Sequence, residues 1–268
     1  MKRLIIAGLL LATGQCGAAE VLPDGKVVIQ RLLARAQALA KEEQGPEYTY
    51  EKRLLIEELD GRDQPAKSEE RLYQVRWVGG LPLERLVKIQ GRQLNDAELR
   101  KEAQREERLR QKFAGVDFKK KAAQKEAWVT TQLLDRYQFQ TQERIVLHER
   151  STLVVSFRPK AGKLPANTFA DKLLNQVAGT VWVDEADADA AKFSATLLEP
   201  VSFGWFGILG ALNRAELVSE RERMTGGVWL AAHQSMLVKG RFSFRSFRFR
   251  VTEHSGGFQP IRATSATR

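Results

Sequence analysis

Cysteine is almost absent from this sequence: Cys16 is the only one in 268 residues. A lone thiol excludes an internal disulfide and any zinc site built from paired cysteines. Histidine is nearly as scarce, and His148, His233 and His254 stand far apart, with no HExxH and no pair on one helix face. Each reads as an ordinary strand or turn histidine. No GxSxG elbow, P-loop or post-strand GxGxxG occurs, so hydrolase, nucleotide-binding and dinucleotide-binding readings lose their usual anchors. Long apolar runs are missing as well. The most apolar stretch beyond the N-terminus, Val201 to Leu212, is too short to cross a bilayer. The acidic run Asp184, Glu185, Asp187, Asp189 fails as an EF-hand loop. The twelfth position from Asp187 is Leu198, and no glycine lies between. A polar hairpin loop is the expectation there, with no metal and no cofactor.

The N-terminus sets the compartment. Lys2 and Arg3 precede an apolar run from Leu4 to Ala12, and Gly17, Ala18 and Ala19 follow. That pattern predicts a secretory signal peptide over residues 1–19, cleaved after Ala19, and hence an exported, periplasmic protein. Gln15 before Cys16 disfavours a lipoprotein signal. The formal charge of +10 is spread along the chain. In an exported protein it suits an anionic membrane surface or other envelope polyanions at least as well as nucleic acid.

Residues 20–268 read as one domain. A helix is expected from Lys26 to Gln44 on a stripe of Val28, Ile29, Leu32, Leu33 and Ala36, ended by Gly45-Pro46. Period-two alternation then predicts strands at Tyr48–Leu59, Glu69–Val78 and Leu81–Gln90. In the third, Leu81, Leu83, Val87 and Ile89 share a face that alternation also gives to Arg85. Either a bulge or wet edge lets the guanidinium reach solvent, or an arginine sits within an apolar groove. A charged helical insertion occupies about 95–135, opened by an Asn95/Glu98 capping box and carrying lysines 119–121. Strands resume at Tyr137–Leu147 and Leu153–Phe157, with a short helix near Thr168–Gln176. A meander of amphipathic strands fills Gly179 to Val251. Within it, RFSFRSFRFR (241–250) reads as one strand with a bulge near Arg245-Ser246, arginines outward.

The element order and the motifs FRP (157–159), GTVWVD (179–184), FGWFGILG (203–210) and GGVW (226–229) resemble the LolA/LolB-type half-barrel superfamily. The nearest resemblance is to an uncharacterised group of exported bacterial proteins with this half-barrel. The resemblance implies an α+β, β-rich fold: a strongly curved antiparallel sheet, an incomplete β-barrel, with helices covering its concave face. Carriers of that type hold acyl chains between sheet and helices, and LolA works with an inward arginine, for which Arg85 is the comparable position. The expected function is therefore non-enzymatic: an envelope protein that binds a lipid or acylated, hydrophobic ligand. The alternative is an envelope interaction module with a self-filled groove. Candidate lining and rim residues are Tyr73, Trp77, Arg85, Trp182, Trp205, Phe206 and Trp229. The FGWFGILG stretch reads either as a core strand with a tight turn or as a mobile apolar lip.

Overall fold

A computed structural model describes residues 21–41, 48–78, 81–113, 133–203 and 209–261. Trp205, Phe206, lysines 119–121 and residues 1–19 lie outside the described residues, and for Trp77 only the backbone is described. The chain forms one open antiparallel sheet of 12 strands with a few helices, not closed into a barrel. β1 (Tyr48–Leu59), β2 (Pro65–Val78), β3 (Leu81–Ile89) and the short β4 (Arg92–Gln93) make a first meander. β5 (Tyr137–Leu147), β6 (Arg150–Pro159), β7 (Val177–Asp184), β8 (Asp189–Leu197), β10 (Gly210–Arg223), β11 (Trp229–Phe242) and β12 (Arg245–Pro260) make a second. Pairing of β1 with β12, from Tyr48↔Pro260 to Glu58↔Phe249, joins the two. The sheet therefore runs β4-β3-β2-β1-β12-β11-β10-β8-β7-β6-β5, with β9 (Val201–Phe203) attached to β10 alone. Bulges interrupt several ladders, as between Thr49 and Glu51 and between Leu212 and Arg214, and each bends its strand.

α1 (Gly25–Lys41) begins one residue before the expected Lys26. Asp24 caps it, its Oδ1 accepting from the backbone N–H of Lys26 at 2.8 Å and Val27 at 3.2 Å. Gly25 is required for close approach: a Cβ there would sit 2.8 Å from the Gln140 backbone nitrogen of β5. The helix then lays Val28 and Ile29 onto Leu153 and Val155 of β6 and Val181 and Val183 of β7, all at most 5% exposed. Phe139, Ala190 and Phe193 pack around this core, and Phe193 stacks on Phe157 at 5.7 Å between ring centroids. The register carries this α1 face across the sheet through Leu217, Met236, Val251 and Ile56. There the side chains are half-buried or exposed, Met236 at 39%.

α2 (Asp96–Phe113) opens with both arms of the Asn95/Glu98 capping box: Glu98 N–H to Asn95 Oδ1 at 3.0 Å and Asn95 N–H to Glu98 Oε2 at 2.9 Å. Arg92 reinforces it with two bonds of 2.7 Å to the Glu98 carboxylate. A third helix, α3 (Phe169–Leu174), is capped by Thr168 and Asp171. Asp171 and the carbonyl of Pro165 hold the buried guanidinium of Arg136.

Two sequence expectations are corrected. RFSFRSFRFR is not one bulged strand: β11 ends at Phe242, Ser243 and Phe244 turn, and β12 starts at Arg245. The histidines do not all stand apart either, because β11 and β12 set His233 directly opposite His254, with Nδ1 atoms 3.2 Å apart.

Candidate functional site

The side of β3 from Leu83 to Val87 pairs with no strand among the described residues, and α2 occupies it. An edge strand leaves main-chain donors and acceptors open, and α2 answers them with side chains. Glu102, only 7% exposed, accepts the Leu86 N–H at 2.8 Å. Arg105 binds the same carboxylate at 2.6 and 2.8 Å and donates to the Glu84 carbonyl. Burial works to raise the Glu102 carboxyl, but these donors outweigh it and hold it below its ordinary value. The helix thus docks through a buried acid, while Leu99 of its thin apolar stripe stays 47% exposed.

Because the contact is polar and runs along the edge, α2 does not close on the sheet. A cavity of about 520 Å³ remains between it and β2–β3. Leu83, Leu109 and Ile261 give it apolar wall, and Arg76, Arg85 and Arg110 give it cationic rim. Arg85 lies 3.6 Å from Glu106 with its side chain 63% exposed, so its charge is hydrated rather than sunk in an apolar groove. The cause is local. A bulge in β3 pairs Leu72 with Lys88 and Tyr73 with Leu86, skipping Val87. Leu83 and Arg85 therefore share a face with Gln74 and Arg76, while Leu86 and Ile89 point the other way. Carried through the register, Arg85 is on the face opposite α1.

The other expected residues do not converge on this cavity. Tyr73 is half-buried on the α1 face, with Lys52 Nζ 5.3 Å from its ring centroid. Lys52, 8% exposed, pairs with Glu84 and lies 3.6 Å from Glu253. This three-residue ionic cluster was hidden from the sequence, because only the β1–β2–β3 and β1–β12 registers assemble it. Trp182 is on the opposite face under Lys192, 5.3 Å from Nζ to ring. Trp229, 5% exposed, is sealed into the β7–β8 hairpin by an Nε1–H bond of 3.0 Å to Asp187. The backbone of Trp77 lies in β2 opposite Pro82.

That acidic hairpin is fully engaged by arginines. Asp184, 1% exposed, takes Arg150 at 2.5 and 2.8 Å, Asp187 takes Arg223 at 2.5 Å, Asp189 takes Arg221 at 2.5 Å and Glu185 takes Arg144 at 2.7 Å. Carboxylates so paired are poor cation ligands, and among the described residues no group of three or more metal-ligating side chains gathers.

No known protein family and no curated protein matches the chain. Several solved structures are similar to it. One is a domain assigned to outer membrane lipoprotein sorting from Vibrio parahaemolyticus, with 10% identity over 91% of this chain and 94% of that one, at a TM-score of 0.33. Another is a DUF1329 family protein from Desulfovibrio piger, with 11% identity over 91% and 96% and a TM-score of 0.32. A third is the MucA/MucB complex of Pseudomonas aeruginosa, with 9% identity over 89% and 99% and a TM-score of 0.25. The lipoprotein-sorting domain is of the kind the sequence motifs resemble. Identities and scores this low transfer no function, and the reading of the site rests on its own geometry.

Proposed function

We propose that this chain is a non-catalytic, exported envelope protein that holds an amphiphilic ligand, a lipid or acylated molecule with an acidic head, between α2 and the sheet. The observation that carries this is the α2 cavity: about 520 Å³, with apolar wall at Leu83, Leu109 and Ile261 and arginines at its rim. That volume falls within the few hundred to about 1,000 Å³ typical of small-molecule sites. Guanidinium forks match carboxylate and phosphate oxygens in pairs, and Arg76 and Arg110 form no ion pair among the described residues. The acyl portion would lie along Leu83 and Leu109. A second reading, an interaction module whose groove its own side chains fill, is favoured by the α1 half, where Val28 and Ile29 occupy the sheet face.

Native mass spectrometry of purified protein tests the choice. A lipid-sized adduct should be present, and it should be lost in Arg85→Leu and in the cavity-filling Leu109→Trp. Protein that carries no adduct and takes up none of the phospholipids offered would remove the ligand reading. Export predicts that N-terminal sequencing of periplasmic material begins at Glu20 or within a residue or two.

A further inference from the structure

The β11–β12 hairpin ends in an arrangement that folding does not require. Its two-residue turn is Ser243-Phe244, with Ser243 at φ 53°. Turns favour glycine, asparagine and aspartate for that geometry, and a phenylalanine at the apex has no turn chemistry to offer. Phe244 is 98% exposed and Phe242 61%. Phe242 stacks on Phe203 at 6.3 Å, Phe203 meets Phe169 edge-on at 5.4 Å, and Leu209, 54% exposed, accepts the Ser243 N–H at 2.8 Å. The result is an apolar prow on an aromatic platform, with a cavity of about 300 Å³ behind it, between Phe242, Arg245 and Leu59.

Cations flank it. Arg241 and Arg245 are both exposed, and neither pairs with a carboxylate among the described residues; Arg241 donates to the Ser243 carbonyl at 3.3 Å. The nearby acids are already engaged, Glu58 by Lys67 at 3.4 Å and Asp63 by Lys239 at 2.5 Å. Local charge is therefore positive.

We propose that this hairpin is a membrane-docking tip, seating Phe244 and Phe242 in the interfacial layer of an anionic bilayer with Arg241 and Arg245 on lipid phosphates. Spacing fits. At about 3.4 Å per residue, arginines one to three positions behind the apex sit roughly 3–10 Å above the inserted ring. An apolar face enters about 5–10 Å into the headgroup/acyl boundary, which leaves cations at that height beside the phosphates. A concave protein partner would have to build a socket around a ring that projects almost entirely free, whereas lipid closes around it. The proposal does not depend on the α2 cavity and stands or falls apart from it.

Flotation with phosphatidylcholine vesicles, and with phosphatidylcholine–phosphatidylglycerol vesicles, tests it on the full chain and its variants. The parent should bind the anionic vesicles more strongly, and rising salt should erode the difference. Phe244→Ser, at a site too exposed to matter for folding, should lower partitioning about tenfold. Arg241→Gln and Arg245→Gln should each lower it about fivefold, only on anionic vesicles. Comparing variants with parent cancels any contribution from the N-terminal apolar segment. Equal flotation of parent and Phe244→Ser would overturn the proposal. So would a salt-sensitive affinity for single-stranded DNA that depends on the arginines but not on Phe244, which would mark a polyanion site. The parent's own salt titration on the two vesicle types needs no variant, and identical curves would also refute docking.

Discussion

α1 and α2 are helices of nearly equal length, 17 and 18 residues, set on one sheet by opposite means. α1 arrives with branched apolar side chains and meets branched apolar strands, so it closes completely, and Val155 beneath it is 0% exposed. α2 arrives with charge on nearly every side and meets the open edge of β3, so it is fastened by Glu102 and Arg105. Apolar packing stabilises in proportion to area and leaves no space, whereas a few charge-assisted bonds fix position and leave the rest of the interface wet. Stability belongs to one half and room to the other.

The largest expected effect tests that division directly. Leu153→Ala, at a residue 2% exposed beneath α1, should cost about 2–5 kcal/mol in urea unfolding. Leu109→Ala beside the α2 cavity should cost less than about 1 kcal/mol. Equal losses would mean that both helices are packed alike. Next, Glu102→Ala should cost about 1–3 kcal/mol, since it leaves the Leu86 N–H and Arg105 without their acceptor. Amide exchange should then quicken in α2 and β3 while α1 keeps its protection.

The two halves should also fail at opposite ends of the pH scale. Burial pushes the Tyr137 phenol, which donates to the Leu174 carbonyl at 2.6 Å, up to about 12 from 10.0. Its raised pKa means a contribution whole below about pH 10 and lost as pH climbs through 12, visible as phenolate absorbance rising with loss of near-ultraviolet dichroism. The Glu98 carboxyl is held down to about 2 by Arg92 and then by the Asn95 N–H. A depressed pKa contributes above its unfolded value of 4.5 and fades toward pH 2, so acid should fray the start of α2 first. Far-ultraviolet dichroism of parent against Glu98→Gln checks this, the variant losing the acid transition. The smallest change expected is in Arg85→Leu, whose guanidinium is already hydrated. Its unfolding free energy should stay within about 0.5 kcal/mol of the parent's.

Local order was legible. Alternation placed β1, β2, β5 and β7 within a few residues, and the Asn95/Glu98 pair marked the start of α2. What the sequence hid was non-local or silent. Arg85 among Leu81, Leu83, Val87 and Ile89 made a bulge one of two readings, but a bulge has no residue signature, so nothing in LPLERLVKI told that Val87 would be the residue skipped. Phe242 and Phe247 change parity equally well through a bulge or a two-residue turn, and with no glycine, asparagine or proline there the turn left no mark. Lys52–Glu84–Glu253 exists only because β1 pairs with the distant β12 as well as with β2, and His233–His254 only because the β11–β12 turn sets that register. Aromatic residues were legible as contact makers but not as to what they would touch. Trp229 carries a donor that a half-buried carboxylate claimed.

One consequence of the α2 attachment concerns self-association. Lifting the helix to widen the cavity frees the Leu86 N–H and the Glu84 carbonyl together. Two adjacent main-chain groups then stand open at the rim of a twelve-stranded sheet, where any extended segment, including β3 of another copy, can add a strand. The helix that walls the cavity thus also covers the open edge of β3.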